Sequence, residues 1–293
     1  MQVGQRIALI GMLVSGGLAV LKIVTGHMAG STSVLADGFE SAADVLASGT
    51  ILLALTLAAR PPDSNHPYGH GRIETLAGLF LGFILFSAGI GISFHSIYAV
   101  SDVKAPPAAY AIWPLLISIG AKLVLMRYKY ATARRILSAA LLADAANDGI
   151  DAISGLAALI ALSMSLYDPV KYLRADHYGA FVIGLIVVFT GVRVIRETGM
   201  QLMDTMPDAA LMKRIREVAT AVPGVDGVEK CFARKTGLKY HVDLHLEVDP
   251  DITVRASHDI AQRVRERVCE LLPWVADVLV HVEPAPGKLD KGD

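Results

Sequence analysis

The chain has 293 residues, of which 53% are apolar and 19% charged, and its mean hydropathy is +0.48. A soluble domain carries about 25% charged residues, so this composition argues against a purely soluble protein. The net charge of −1 offers no basic excess for binding nucleic acid. Cys231 and Cys269 form no CxxC pattern, which argues against a disulfide framework or a thiolate metal site and fits a reduced, cytoplasmic setting for that half.

Residues 1–203 contain only 26 of the 55 charged side chains. This part has six apolar stretches long enough to cross a bilayer as helices, and we place them near 7–26, 32–58, 74–100, 108–128, 139–166 and 177–200. Turn signals such as Gly30-Ser31 and Asp168-Pro169 separate them. Lys and Arg are concentrated in alternate loops, which predicts that both termini are cytoplasmic. We therefore predict an integral, multi-pass membrane protein with a six-helix transmembrane domain over residues 1–206.

From Pro207 onward the pattern changes to that of a small α+β unit. Helical periodicity predicts helices over 211–222 and 254–272, and alternation of apolar and polar residues predicts strands over 225–234, 240–248 and 277–282. The predicted order is αββαβ. We expect a cytoplasmic domain over residues 207–286 and a disordered tail over residues 287–293.

Acidic residues recur at matching positions in the second and fifth spans. Asp37, Glu40 and Asp44 stand at i, i+3 and i+7 of the second span, which places them on one helix face. The fifth span repeats this spacing with Asp144, Asn147, Asp148 and Asp151. Because a charged side chain at mid-membrane costs roughly 2.5 to 3.5 kcal/mol unless it is paired or hydrated, we expect a cation between the two rows.

A divalent cation suits ligands that are carboxylate and amide oxygens. We assign these ligands as two per helix at i and i+4, namely Glu40, Asp44, Asn147 and Asp151. Asp37, Asp144 and Asp148 then surround the site. The alternative is that the acids pair with Lys22 and Lys122, which also lie inside spans. We favour the metal because our placement puts both lysines near helix ends, from where they can snorkel to the interface.

Two further groups of polar residues have metal-ligand chemistry. The loop after the second span holds Asp63, His66 and His70, and its Pro67 and Gly69 exclude a regular helix. The alternative here is a turn with solvated histidines. In the C-terminal unit the second group is His245, His258, His281 and Glu283, which spacing alone favours as scattered surface residues. His241 shares a strand face with His245, and the sequence gives it no role.

Six spans, paired acids on spans two and five, the loop Asp-Ser-Asn-His-Pro-Tyr-Gly-His-Gly and a C-terminal αββαβ unit together resemble the cation diffusion facilitator family. The resemblance covers about residue 5 to Pro284. It implies a homodimeric exporter of divalent metals such as Zn, Mn, Fe, Cd or Co that exchanges them for protons, with a ferredoxin-like cytoplasmic domain. It also implies that Arg72 and Asp204 form a charge pair at the base of that domain. The metal ligands that it implies form three sets: Glu40, Asp44, Asn147 and Asp151 at the transport site, Asp63, His66 and His70 in the loop, and His245, His258, His281 and Glu283 in the cytoplasmic domain.

One departure from the family pattern bears on selectivity. Zinc-transporting relatives usually carry Asp or His where Glu40 stands and His where Asn147 stands. An all-oxygen site favours Mn²⁺ or Fe²⁺ over Zn²⁺, and Zn²⁺ is the alternative ion. Because Asn147 cannot titrate, protons would have to bind Glu40, Asp44 or Asp151 instead.

The resulting hypothesis is metal/proton antiport by alternating access, with divalent metal as substrate and regulator, protons as counter-ion and membrane lipid as surroundings. The alternatives are a membrane-bound metal sensor and an intramembrane metalloenzyme. The chain has no HExxH motif and no general base beside an open zinc site, so we expect that it is not an enzyme.

Overall fold

The computed structural model describes residues 2–58, 60, 62–102, 105–136, 139–237 and 239–286. The tail predicted over residues 287–293 lies outside the described residues. The long helices of the first two thirds of the described chain are α1 (Gln2–Ala29), α2 (Thr32–Ala58), α3 (Arg72–Ala99), α4 (Ile112–Ile136), α5 (Ala139–Tyr167) and α6 (Ala175–Leu202). The C-terminal elements are α7 (Ala209–Thr220), β1 (Gly227–Thr236), β2 (Lys239–Val248), α8 (Val254–Leu271) and β3 (Val275–Pro284).

The long helices are those expected of a membrane bundle. Within the described residues, five segments are long and apolar enough to cross a membrane: Leu9–Ala29, Arg72–Ala99, Ala109–Arg135, Asp144–Tyr167 and Ala175–Leu202. The helix α2 has 27 residues, and its first half carries Asp37, Glu40 and Asp44. Six helices therefore occupy the six predicted stretches, and the predicted helical bundle is confirmed.

The chain separates into two units. One comprises Met1–Leu52 and Gly78–Ile195, and the other comprises Leu53–Ala77 and Arg196–Asp293. The loop after α2 thus belongs to the same unit as the C-terminal elements.

The start of α2 is capped by a side chain from α6. Asp176 is fully buried and accepts hydrogen bonds from the Ser31 hydroxyl at 2.8 Å and the Thr32 backbone N–H at 2.6 Å, and from the Ser33 hydroxyl. A helix start leaves backbone N–H groups without partners, and a carboxylate there also interacts favourably with the helix dipole. The preceding Gly30 ends α1 with φ of +66°, a conformation that glycine adopts without strain.

Glycines bring α3 and α6 into close contact. A Cβ added at Gly89 would lie 2.6 Å from the Val188 backbone nitrogen, and one added at Gly191 would lie 2.5 Å from that of Phe86. Such distances exclude any side chain. In a membrane, where lipid tails are as apolar as leucine, small residues allow helices to associate through close backbone packing.

The C-terminal elements form a three-stranded sheet in the order β1-β2-β3. β1 pairs antiparallel with β2, and β2 pairs parallel with β3, so α8 makes the crossover between parallel strands. Along β2 every second residue from Val242 to Val248 is buried. These side chains form one core with Ile215 of α7 and with Val264 and Val268 of α8. The predicted order αββαβ is confirmed, and it is the ferredoxin-like order without the first strand.

Candidate metal transport site

The acidic rows of α2 and α5 face each other within the helix bundle. Glu40 and Asp151 are 8% and 7% exposed. The Glu40 carboxyl group lies within electrostatic range of Asp44 and Asp151, and Asp44 lies beside both Asn147 and Asp151. The structure thus brings together the four side chains assigned as ligands from the sequence.

Ser154 contributes to this site and was missed by the sequence reasoning. Its buried hydroxyl donates to Oε1 of Glu40 at 2.9 Å. The other Glu40 oxygen, Oε2, is buried and has no hydrogen-bond partner among the described residues. Ser154 stands three residues after Asp151 on the same face of α5, and that i+3 spacing is the signal that could have found it.

Lysines inside the bundle pair with the acidic rows. The Lys22 ammonium lies 2.8 Å from Oδ2 of Asp37 and donates to the Ser41 hydroxyl at 2.6 Å. The Lys122 ammonium contacts Oδ2 of Asp151 and lies 3.2 Å from Oδ1 of Asp148. The two lysines are 1% and 2% exposed, so the expectation that they snorkel to the interface is wrong. The alternative of acid–lysine pairing holds for Asp37, Asp148 and Asp151.

A third lysine, Lys129, extends this network. Its ammonium lies 2.6 Å from Oδ2 of Asp148 and 2.9 Å from Oδ2 of Asp144. Among the described residues of α2 and α5, six carboxylates thus face three lysines, and Glu40 has a serine donor in place of a lysine. Carboxylates buried in excess of the lysines must either bind a counter-ion or take up protons. A divalent cation between α2 and α5 fits this requirement and this donor set.

The loop after α2 brings its three predicted ligands together. Nδ1 of His66 lies 3.0 Å from Oδ1 of Asp63, and Nε2 of His70 lies 3.4 Å from Oδ2. One ligand atom from each of the three residues lies within 4.8 Å of the others. The His66 backbone N–H donates to Oδ1 at 2.7 Å, and this hydrogen bond lowers the pKa of Asp63 below its usual value. Asp63 therefore remains a carboxylate in mildly acidic solution.

The predicted charge pair between Arg72 and Asp204 is confirmed. The Arg72 guanidinium donates to Oδ1 of Asp204 at 2.9 Å. Both side chains are partly exposed, at 50% and 41%, so the pair contributes little stability by itself.

In the C-terminal unit the structure brings together His245, His281 and Glu283. Their ligand atoms lie within 4.8 Å, and Nδ1 of His245 is 2.5 Å from Oε1 of Glu283. The register explains this cluster, because His245 pairs with His281 across β2 and β3. Hydrogen bonding with the Glu229 carboxyl group and with His245 lowers the pKa of Glu283. Glu229 was not singled out from the sequence.

His258 stands apart from that cluster. It is exposed on α8, and α8 packs against Val242 and Leu244. Because neighbouring residues of a strand point to opposite faces, α8 covers the face of the sheet opposite to His245. Within a single chain His258 therefore lies away from His245, His281 and Glu283. Its assignment as a ligand stays a prediction.

His241 lies next to the loop after α2. Its ring makes an edge contact with Tyr68 at a centroid distance of 5.9 Å, and Arg234 lies 5.5 Å from the Tyr68 ring centroid. A cavity of about 550 Å³ is lined by the loop and by residues of β1 and β2, including His66 and His241. Burial, followed by the Arg234 charge, lowers the pKa of His241.

Known proteins resemble the chain along nearly its whole length. A cation efflux transmembrane domain matches residues 8–203, and the cytoplasmic domain of cation efflux proteins matches residues 207–285. The manganese efflux system proteins MneP and MneS of Bacillus subtilis (strain 168) are each 30% identical, over 289 and 287 residues, with 97% of both chains covered in each case. Metal tolerance protein C1 of Arabidopsis thaliana is 30% identical over 300 residues, and the match covers 96% of this chain and 63% of that protein. The chain therefore belongs to the cation diffusion facilitator family of divalent metal transporters.

Proposed function

We propose that the protein exports a divalent metal ion by alternating access, in exchange for protons. The observation that carries this proposal is the meeting of Glu40, Asp44, Asn147 and Asp151 between α2 and α5. Metal enters from the cytoplasm, binds between these helices, and is released on the other side as the bundle changes conformation. Both termini are cytoplasmic in this proposal, as the distribution of basic residues predicts.

The transported ion is Mn²⁺ or Fe²⁺ in preference to Zn²⁺. All four proposed ligands offer oxygen, and hard oxygen ligands suit Mn²⁺ better than imidazole or thiolate does. The names of the two Bacillus relatives, manganese efflux system proteins, agree with this preference.

Protons replace the metal on carboxyl groups. Asn147 offers an amide, which does not titrate near neutral pH, so the returning protons bind Glu40, Asp44 or Asp151. Release of a divalent ion leaves these acids close together without it, and mutual repulsion then favours proton uptake.

The protein acts as a homodimer in which the C-terminal units, over residues 207–286, bind regulatory metal. The clusters Asp63/His66/His70 and His245/His281/Glu283 supply ligand sets of nitrogen and oxygen. His258 is proposed to join a site formed with a second copy. Metal bound there biases the dimer towards its transport-ready state.

Transport by the purified protein in proteoliposomes, with a pH gradient and Mn²⁺, Fe²⁺ or Zn²⁺, tests this function. We expect Asp44→Ala and Asp151→Ala to reduce flux to the leak of protein-free vesicles, whereas Asp259→Ala, a change at an exposed position on α8, retains it. Unchanged flux in the two site variants would contradict the proposal. Metal binding without flux in the unaltered protein would indicate a sensor instead.

A further inference from the structure

Lys122 forms an ion pair with Asp151, which is one of the proposed metal ligands. Its side chain is 2% exposed, and its ammonium contacts Oδ2 of Asp151. It also donates to the Ser15 hydroxyl at 2.9 Å and lies 3.2 Å from Asp148. The three contacts come from α1 and α5, so the ammonium is held from both sides.

An ammonium group and a divalent cation cannot both be bound at Asp151 without strong repulsion. Inside the bundle, where water does not screen charges as it does in bulk solution, this repulsion is larger than at a surface. The two cations therefore compete for the same carboxylate. A buried lysine also needs a counter-ion at all times, because an unpaired buried charge is costly.

Asp148 offers Lys122 that counter-ion when Asp151 is engaged elsewhere. It stands one turn before Asp151 on α5, and the Lys122 ammonium already lies at hydrogen-bond distance from its Oδ1. A small movement of a flexible side chain therefore exchanges Asp151 for Asp148.

We propose that Lys122 is a tethered counter-ion, which holds Asp151 in the metal-free protein and shifts towards Asp148 when a divalent cation binds. Lys122 thereby lowers the affinity of the transport site and speeds release of the metal. This inference rests on the proposed transport function, since it assigns Asp151 as a ligand.

Lys129 provides a matched control. It lies on the same helix, is 3% exposed, and shares Asp148 as a partner, with Asp144 as its other partner. Within the part of the chain that the structure describes, Lys129 pairs with Asp144 and Asp148, neither of which is a proposed ligand. Removing the Lys129 charge changes the charge of the bundle by the same amount as removing that of Lys122, but it leaves Asp151 paired.

The experiment measures the dissociation constant of Mn²⁺ for the purified full-length protein by competition with a fluorescent chelator. His66→Ala and His245→Ala are present throughout, so that the titration reports the transport site. We expect Lys122→Gln, which keeps a hydrogen-bond donor, to lower the dissociation constant by about tenfold or more. We expect Lys129→Gln to change it by less than about threefold.

A second variant gives the opposite sign. Lys122→Arg retains a permanent charge and offers a planar, two-pronged donor to the carboxylate, so we expect it to raise the dissociation constant. In vesicles, Lys122→Gln lowers both KM and the maximal rate, because tighter binding slows release. A merely structural role for Lys122 predicts weaker binding in both variants, and that result overturns the proposal. Equal tightening by Lys122→Gln and Lys129→Gln also overturns it.

Asp151→Ala separates this inference from the proposed function. If it binds Mn²⁺ as the parent does, the transport site itself is wrong. If it loses binding while Lys122→Gln shows no tightening, only the role of Lys122 is wrong.

Discussion

Ser154 orients one of the proposed metal ligands without being a proposed ligand itself. Its hydroxyl donates to one oxygen of Glu40, whose other oxygen is buried without a hydrogen-bond partner among the described residues. The donor therefore fixes the carboxyl group in one orientation and leaves the second oxygen available. Second-layer hydrogen bonds of this kind typically contribute 10- to 100-fold to metal affinity.

We expect Ser154→Ala to raise the KM for metal by about tenfold, because Glu40 loses the donor that orients it. The measurement is initial flux into proteoliposomes as a function of metal concentration. Ser165→Ala is the control, since Ser165 is equally buried on α5 and donates to the Leu173 carbonyl instead. Equal KM values for the two variants would show that orientation of Glu40 by Ser154 is unimportant.

His241 makes the stability of the C-terminal unit depend on pH, and the groups around His241 set the direction of that dependence. Burial, then the Arg234 charge, lowers its pKa below 6.5, against smaller opposing effects of Asp277 and Asp243. The unfolded chain, with its ordinary value, binds more protons than the folded chain between the two pKa values. The contribution of His241 to stability is therefore present above about pH 6.5 and is lost as the pH falls towards the lowered value.

We expect His241→Gln to reduce the loss of thermal stability between pH 7.5 and pH 5.5. Trp113→Phe leaves Trp274 as the single tryptophan, and its fluorescence reports unfolding of the C-terminal unit in the full-length protein. His258→Gln, at an exposed position, should leave the pH dependence as in the parent. If His241→Gln and the parent lose equal stability over this pH range, the lowered pKa of His241 does not cause the loss.

At the scale of the helix, α3 and α6 depend on glycines that cannot be replaced. Gly89 and Gly184 face each other, and a Cβ on Gly89 would lie 2.8 Å from the Gly184 carbonyl oxygen. Two residues further along α3, on the opposite side of the helix, an added Cβ at Gly91 would have no atom within 4 Å.

We expect Gly89→Leu to separate α3 from α6 and to lower the unfolding temperature of the detergent-solubilised protein by several degrees, because overpacking costs typically 1 to 3 kcal/mol. Gly91→Leu adds the same side chain to the same helix where there is space, and it should have little effect. The unfolding temperature of each variant, read by light scattering on heating, makes the comparison. Similar losses in both would mean that helix propensity or lipid contact decides the outcome.

The elements of both parts were predictable from the sequence because their periodicities are strong. The acidic rows on α2 and α5 were predictable too, since seven-residue spacing in a helix fixes a common face. The positions of the lysines were predicted wrongly. Hydropathy ends a predicted span near its first charged residues, whereas the helix itself continues beyond them. α4 extends to Ile136, so Lys122 lies well inside it. Spacing alone favoured scattered residues in the C-terminal unit, which holds for His258 but is wrong for His245, His281 and Glu283, because spacing does not tell which strands pair.

At the scale of the whole molecule, the proposed metal sites are distributed over both units of the chain. The proposed transport site lies in the first unit, and the clusters of Asp63 and of His245 lie in the second. Separate ligand sets imply separate binding events, which act on each other only through a change in conformation or assembly.

We expect the full-length protein to bind up to three divalent ions per chain at saturation, one at each site. Asp151→Ala, His66→Ala with His70→Ala, and His245→Ala with His281→Ala should each remove one equivalent, because each change removes ligands from one set only. Equilibrium dialysis with metal analysis measures these numbers, and Asp259→Ala serves as the unaltered reference. A histidine pair whose loss leaves the number unchanged is not a metal site.

The cap that Asp176 places on α2 has a mechanical consequence. The carboxylate that caps the first residues of α2 belongs to α6. For this reason α2 cannot slide along its own axis past α6 without breaking several buried hydrogen bonds. A tilt of α2 about that capped end would, by contrast, preserve these hydrogen bonds. Asp44 lies 12 residues beyond Thr32, a distance of about 18 Å along the helix, so a tilt of a few degrees displaces Asp44 further than Asp37. The ligands furthest from the hinge are thus the ones that such a rotation moves most.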